Sequence, residues 1–113
     1  MEPARSVELA MLLDFYGPLL TAKQGEMMRL RVEEDFSLSE IAESFGVSRQ
    51  AVHDALRKAE KTLTDMEEKL RLVEKYRRLH GAVARAQEAL NRGDAGEAQR
   101  ILEEMQKEGV YGV

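Results

Sequence analysis

The sequence predicts an all-α protein, and three observations support this fold class. The only two prolines are Pro3 and Pro18, so everything after Leu19 is free of proline. That stretch is rich in Ala, Leu, Glu, Lys, Arg, Gln and Met, which are the residues with the highest helix propensity. Aromatic residues make up 5% of the chain, few for a β-sandwich or a β-barrel.

Length and composition narrow the class of protein further. A chain of 113 residues with 43% hydrophobic and 34% charged residues suits one compact domain with an extended helical appendage. The chain has no cysteine, which excludes disulfides, zinc ribbons and thiol chemistry. Its first residues do not resemble a signal peptide, and no apolar run approaches the roughly 20 residues that span a bilayer. We therefore expect a soluble, cytoplasmic protein with no membrane span.

The first two predicted helices are bounded by strong local signals. Ser6–Tyr16 is apolar nearly all round, which suggests burial or a partner surface, and Gly17-Pro18 ends it. Thr21 and Gln24 have the spacing of a capping box, in which each side chain satisfies a backbone N–H of the helix start. This second helix should end near Glu34-Asp35.

The next segment, Ser37–Lys61, has the order of a helix-turn-helix motif. Ser37 and Glu40 form a second capping box, and Phe36 can act as its hydrophobic staple. Gly46 stands at the turn, where a positive φ is needed. Ser48 caps the second helix, and the inner positions of both helices are apolar, namely Leu38, Ile41, Ala42, Phe45, Val47, Ala51, Val52, Ala55 and Leu56.

The C-terminal half predicts a long helix followed by a helical hairpin. Leu63, Met66, Leu70 and Val73 follow a coiled-coil rhythm, and the stripe continues from Tyr76 to Leu90 after a one-residue slip of phase. No strong signal for the end of the helix occurs before Gly81. Thr64 and Asp65 could, however, cap a new helix and so interrupt the long helix within Thr62–Asp65. His80, just before Gly81, is interpreted as a residue at a helix C-terminus.

A last helix is predicted to begin at a third capping box, formed by Asp94 and Glu97, and to end at Gly109 before a loose tail, Val110–Val113. We divide the chain into a helix-turn-helix domain, residues 1–63, and a helical extension, residues 64–113. The apolar stripe from Leu63 to Leu90 is longer than a small domain easily covers, so the extension is the expected dimerisation region of a homodimer.

Seven residues form the candidate nucleic-acid-binding site. At the start of the second motif helix, the outward-facing set that should enter a DNA major groove comprises Ser48, Arg49, Gln50, His53 and Arg57. Arg49 suits guanine and Gln50 suits adenine, while Lys58 and Lys61 should contact the backbone. Between Val47 and Leu63 four cations oppose two acidic residues, which makes a weak basic patch in a chain of net charge −4. The same residues would also be ordinary solvated positions if the motif were only a scaffold.

The residues of this region resemble two known families. The stretch LLTAKQGEMMRLRVEEDFSLSEIAESFGVSRQAVHDALRKAEKTL is similar to the promoter-recognition region (region 4) of bacterial sigma factors. A closer similarity is to the YlxM family of small bacterial helix-turn-helix proteins, carried by DFYGPLLTAKQ (Asp14–Gln24), SRQAVHDALRKAEKTL and MEEKLRLVEKY (Met66–Tyr76). It covers about Leu9–Leu79. The resemblance implies a sigma-region-4-like all-α fold and a part in the signal recognition particle pathway.

Catalytic and metal-binding patterns are missing from the sequence. Its two histidines, His53 and His80, stand far apart, and no HExxH motif, phosphate-binding loop or dinucleotide fingerprint is present. We therefore expect no enzyme activity and no cofactor. Two hypotheses remain open: a dimeric regulatory protein that binds DNA, and an interaction module that contacts the protein or RNA of the signal recognition particle.

Overall fold

The computed structural model describes residues 3–108 of the chain, with side chains from Arg5 onward. These residues form six helices and no β-strand, which confirms the all-α fold class. A single 3-10 turn, Gly17–Leu19, follows the first helix. In chain order the helices are α1 (Pro3–Tyr16), α2 (Ala22–Val32), α3 (Leu38–Phe45), α4 (Arg49–Leu70), α5 (Leu72–Asn91) and α6 (Ala95–Glu108). The expected helix end at Gly109 and the tail Val110–Val113 lie outside the described residues.

The chain folds into two compact units, Met1–Leu70 and Arg71–Val113. The sequence placed this division after Leu63, but α4 continues to Leu70 and the first unit with it. The possible helix break within Thr62–Asp65 does not occur. The Thr62 and Thr64 hydroxyls donate to carbonyl oxygens four residues earlier in α4, at 3.1 Å and 2.9 Å, and so neither residue caps a new helix.

The long helix is interrupted at Arg71, earlier than the sequence suggested. Arg71 has φ 55° and ψ 33°, the left-handed conformation, and this residue separates α4 from α5. The prediction of no stop before Gly81 was therefore wrong, and so was the placement of His80 at a helix C-terminus, because α5 runs through both. The slip of phase in the apolar stripe lies close to this interruption and was its only signal in the sequence.

In the first unit, α2, α3 and α4 enclose a core of side chains that are almost completely buried, Met27, Ile41, Ala42 and Val52. Polar side-chain contacts also join α1 to α4. The Tyr16 hydroxyl, on a side chain that is 1% exposed, donates to the Glu67 carboxylate at 2.5 Å, and the Arg5 guanidinium forms an ion pair with Glu60. The helix-turn-helix is thus supported from behind by α1 and α2.

In the second unit, α5 and α6 form the predicted helical hairpin. Three alanines of α5, Ala82, Ala86 and Ala89, pack with Ala98, Ile101 and Met105 of α6. The third capping box forms only in half: the Asp94 carboxylate accepts from the Glu97 N–H at 2.9 Å, but Glu97 binds Arg100 instead of reaching back. The reason is that the Asp94 N–H already donates to the Ala89 carbonyl at 2.8 Å.

Over residues 3–108, none of the helices is long and apolar enough to cross a membrane.

Candidate nucleic-acid interface

Two caps and a glycine set the geometry of the connection between α3 and α4. In the capping box of α3, the Ser37 N–H donates to the Glu40 carboxylate at 2.9 Å and the Glu40 N–H donates to the Ser37 hydroxyl at 3.0 Å. These bonds lower the pKa of Glu40 below its ordinary value of 4.5. Gly46 adopts φ 65° and ψ 36° at the end of α3, as predicted. The Ser48 hydroxyl then accepts from the Ala51 N–H at 3.0 Å and caps α4.

The seven predicted site residues all lie on the exposed sides of the Ser48 cap and the first four turns of α4. Ala51, which the sequence placed among the inner positions of this helix, is also exposed. All seven are exposed, and the opposite side of α4 is anchored by Val52, Ala59 and Leu63, each fully buried. The set comprises Ser48, Arg49, Gln50, His53, Arg57, Lys58 and Lys61. Because the buried stripe fixes the rotation of α4, these side chains are presented outward.

The seven residues do not all face in one direction. At about 100° per residue, Gln50, Arg57 and Lys61 lie roughly opposite the buried stripe of α4, with His53 to one side of them and Lys58 to the other. His53 and Arg57 both line a cleft against α1 and α2. Sequence reasoning missed this cleft, because it is formed by the packing of helices that are distant in the chain.

Acidic neighbours occupy part of the outer face. The Gln50 amide donates to the Asp54 carboxylate at 3.0 Å, and the His53 Nδ1 atom lies 3.7 Å from the same carboxylate. Lys61 donates to Asp65 at 2.9 Å, and this hydrogen bond raises the pKa of Lys61 above 10.5. Two of the seven residues are therefore already hydrogen-bonded to carboxylates within the protein.

The other three cations of the set are not paired in this way. Over the described part of the chain, Arg49, Arg57 and Lys58 have no carboxylate oxygen within 4.0 Å of their charged nitrogens. A guanidinium can donate two parallel hydrogen bonds to a guanine edge or a phosphate, whereas an ammonium acts as a point charge. Ser48 accepts one hydrogen bond at the helix cap, and its hydroxyl hydrogen can still donate to a phosphate.

Between residues 3 and 108 no group of three or more His, Asp or Glu side chains is placed to hold a metal ion. His53 and His80 belong to different compact units. His80 stacks on Tyr76, with ring centroids 5.7 Å apart and planes inclined by 12°. His80 is an exposed residue of α5.

The geometry described above defines the class of the protein. Two helices joined by a three-residue connection, with a left-handed glycine and an exposed second-helix start, make it a helix-turn-helix protein. A family model described as "Putative helix-turn-helix protein, YlxM / p13 like" matches residues 4–105, and the chain belongs to this family. The resemblance seen in the sequence is thereby confirmed, and the match extends well beyond Leu79 into α6.

Relatives in several bacteria agree with this assignment. A UPF0122 protein of Symbiobacterium thermophilum is 45% identical over 100 residues, which is 88% of this chain and 94% of the relative. A UPF0122 protein of Desulforamulus reducens is 45% identical over 96 residues, covering 85% of this chain and 82% of the relative. One from Geobacillus kaustophilus is 41% identical over 95 residues, covering 84% and 86%.

Proposed function

We propose that this chain is a cytoplasmic regulatory protein, without catalytic activity, that binds duplex DNA through the start of α4. One observation supports this most: Arg49, Arg57 and Lys58 are exposed cations without carboxylate partners in the described residues, on the helix that follows the helix-turn-helix connection. A second motif helix in this position enters the major groove with its first residues against the base edges.

The proposed contacts follow from the chemistry of each side chain. Arg49 and Gln50 read bases, and for Gln50 this requires its amide to leave Asp54. Ser48 donates to a phosphate, while Lys58 and Lys61 touch the backbone on the outer side of α4. His53 and Arg57 complete the interface at the edge nearest the cleft. The few cations and the presence of Asp54 favour selective binding over strong binding to any sequence.

The experiment that tests this function is selection from a pool of random duplex DNA at two salt concentrations, with sequencing of the retained duplexes. We expect a short motif to be enriched and the affinity to fall steeply as salt rises. Arg49→Ala should weaken binding to the enriched sequence by about 1–3 kcal/mol and relax the choice of base at one position.

Lys58→Ala is the matched control for base reading. This variant also removes one unpaired cation, but from a residue placed for backbone contact, so it should weaken binding on every sequence by a similar factor and reduce the salt dependence. Equal losses on all sequences for Arg49→Ala would leave Arg49 as a phosphate contact only. Absence of any enrichment at low salt would contradict DNA recognition by α4.

A second candidate function is favoured by the acidity of the molecule. The net charge is −4, and Asp54 stands within the outer face of α4, where it would repel phosphate. In this version the helix-turn-helix is a scaffold, and the chain contacts the protein or RNA of the signal recognition particle, the pathway that the YlxM resemblance implies. Purified particle protein and RNA, each titrated into the full chain, would test it. Binding of neither component would count against this version.

We also propose that the chain acts as a homodimer joined through α5. The dimer seam is defined as the exposed apolar residues that follow one stripe along α5, Leu72, Tyr76, Val83 and Leu90. Val83 is 39% exposed and Leu90 is 58% exposed. Tyr76, Val83 and Leu90 recur every seven residues, which is the repeat by which helices pair in coiled coils. A two-fold pairing would present two copies of α4 to DNA, as many helix-turn-helix dimers do.

A further inference from the structure

The cleft beside α4 offers a second binding surface, which shares only His53 and Arg57 with the proposed DNA interface. Its volume is about 200 Å³, and all its residues belong to the first compact unit. The floor is aliphatic, and one residue or more from each of the first four helices contributes to it: Leu9, Met28, Val32, Leu38 and Leu56. Leu9 and Met28 are buried and the other three are partly exposed, so the floor is apolar but open to solvent.

The rim of this cleft is basic although the protein as a whole is acidic. Arg31, His53 and Arg57 stand around the floor with one carboxylate, Glu60. Glu60 forms an ion pair with Arg5, which offsets its charge. Arg31 is held in place because it donates to the Phe36 carbonyl oxygen at 2.8 Å. Two arginines thus border an apolar floor, and a histidine stands beside them.

Size and chemistry together select the kind of ligand. A cleft of about 200 Å³ is smaller than the roughly 300–1,000 Å³ of pockets for metabolites and cofactors. A nucleic-acid base would need a flat, usually aromatic platform beneath it, whereas the floor here is aliphatic and the cleft is lined by no Phe, Tyr or Trp of the described residues. A free anion would gain nothing from an aliphatic floor. A side chain such as leucine, carried on a segment with nearby carboxylates, matches both the floor and the rim.

We propose that this cleft binds a short acidic peptide segment of a partner protein, with one aliphatic side chain inserted against the floor and carboxylates paired to Arg31 and Arg57. Anchoring of one apolar side chain in a small pocket with a charged rim is a common way in which proteins bind peptides. Charge complementarity at the rim gives orientation and speeds association. This proposal does not depend on DNA binding.

A peptide-display selection on the full, folded chain tests the proposal. A library of random peptides is selected for binding to the immobilised protein, and enriched sequences are synthesised and titrated in solution. We expect enrichment of peptides that combine one aliphatic residue with flanking Asp or Glu. Failure to enrich any peptide, or enrichment of peptides without carboxylates, would overturn it.

Two adjacent positions provide a matched pair of variants. Arg57 lines the cleft whereas Lys58 does not, and both are exposed, so Arg57→Glu and Lys58→Glu make the same change of charge one residue apart. We expect Arg57→Glu to weaken peptide binding about ten-fold or more and Lys58→Glu to leave it nearly unchanged. Equal losses in both variants would show that binding depends only on general charge, and would overturn the cleft as the site.

Two further variants separate the cleft from the DNA surface and from folding. Val32→Glu introduces a carboxylate into the floor at a partly buried position and should abolish peptide binding, with circular dichroism to verify that the helices are intact. Arg49→Ala should bind the peptides like the wild type, since Arg49 does not line the cleft. If the chain binds peptides but no DNA, the cleft proposal stands and the proposed DNA function fails. If it binds DNA but no peptides, the DNA function stands and the cleft proposal fails.

Discussion

At the residue scale, Asp54 determines which side chains at the start of α4 already have a hydrogen-bond or ionic partner within the protein. Its carboxylate accepts a hydrogen bond from the Gln50 amide and lies near His53, so two of the seven predicted site residues face this carboxylate. The spacing of four residues between Gln50 and Asp54 was visible in the sequence, but the same spacing is compatible with several rotamers. The seven positions could therefore be predicted to be exposed, whereas their hydrogen-bond partners could not.

Substitution by alanine should have opposite effects on stability at Gly46 and at Gly25. A Cβ at either position would meet nothing within 4 Å, so only the backbone distinguishes them. Gly46 has φ 65°, where an L-residue is strained, and Gly46→Ala should lower the free energy of unfolding by about 1–2 kcal/mol. Gly25 lies inside α2, and Gly25→Ala should raise it by roughly 0.5–1 kcal/mol. Urea denaturation of both variants measures the difference.

The two variants also control for each other. Both add one methyl group in the first compact unit, and so any general effect of the added methyl group is shared. If Gly46→Ala left the unfolding midpoint unchanged, the left-handed turn would not be a source of strain, and the connection would have to adapt in some other conformation.

At the scale of the elements, helix starts were predictable and helix interruptions were not. The boxes at Thr21 and Ser37 are confirmed because both partners lie within one turn, where spacing alone decides the geometry. In the box at Asp94 only one of the two hydrogen bonds forms. The Asp94 N–H donates to the Ala89 carbonyl oxygen and therefore does not need the Glu97 side chain as its acceptor. The cleft beside α4 could not be foreseen, because it requires α1 and α2 to pack against α4.

Arg71 shows the limit of local signals most directly. Nothing in arginine favours the left-handed conformation, which costs an L-residue about 1–2 kcal/mol, and so no sequence rule places the end of α4 there. Arg71→Gly should relieve this cost, although the more flexible unfolded chain offsets part of it. We expect a net gain of roughly 1 kcal/mol or less in the free energy of unfolding, measured by urea denaturation.

A suitable comparison for Arg71→Gly is Arg71→Ala, which removes the same side chain and keeps the strained backbone. Only the glycine variant should be stabilised relative to the alanine variant. If the two variants unfolded at the same denaturant concentration, the left-handed conformation of residue 71 would not limit stability.

At the scale of the whole molecule, the composition predicted the fold class. The division into two compact units falls at Arg71, a single residue in the left-handed conformation, which the sequence did not predict. The described chain has one compact unit with a core built from several helices and another made of two helices only. A pair of helices cannot cover every apolar side chain that it carries, and Tyr76, Val83 and Leu90, spaced by seven residues, remain exposed on α5. This exposure is the physical reason for the proposed dimer.

The dimer seam of α5 can be tested by two neighbouring substitutions. Val83→Glu places a charge in the seam, and burying an unpaired carboxylate between two helices is strongly unfavourable, so the variant should sediment as a monomer where the wild type sediments as a dimer. Ala84→Glu adds the same group at the next exposed position, roughly 100° round the helix and outside the seam, and it should leave the dimer intact. Sedimentation equilibrium over a range of micromolar concentrations measures both. A wild-type chain that sediments as a monomer throughout, or equal dissociation of both variants, would rule out pairing through α5 and leave each α4 to bind its partner singly.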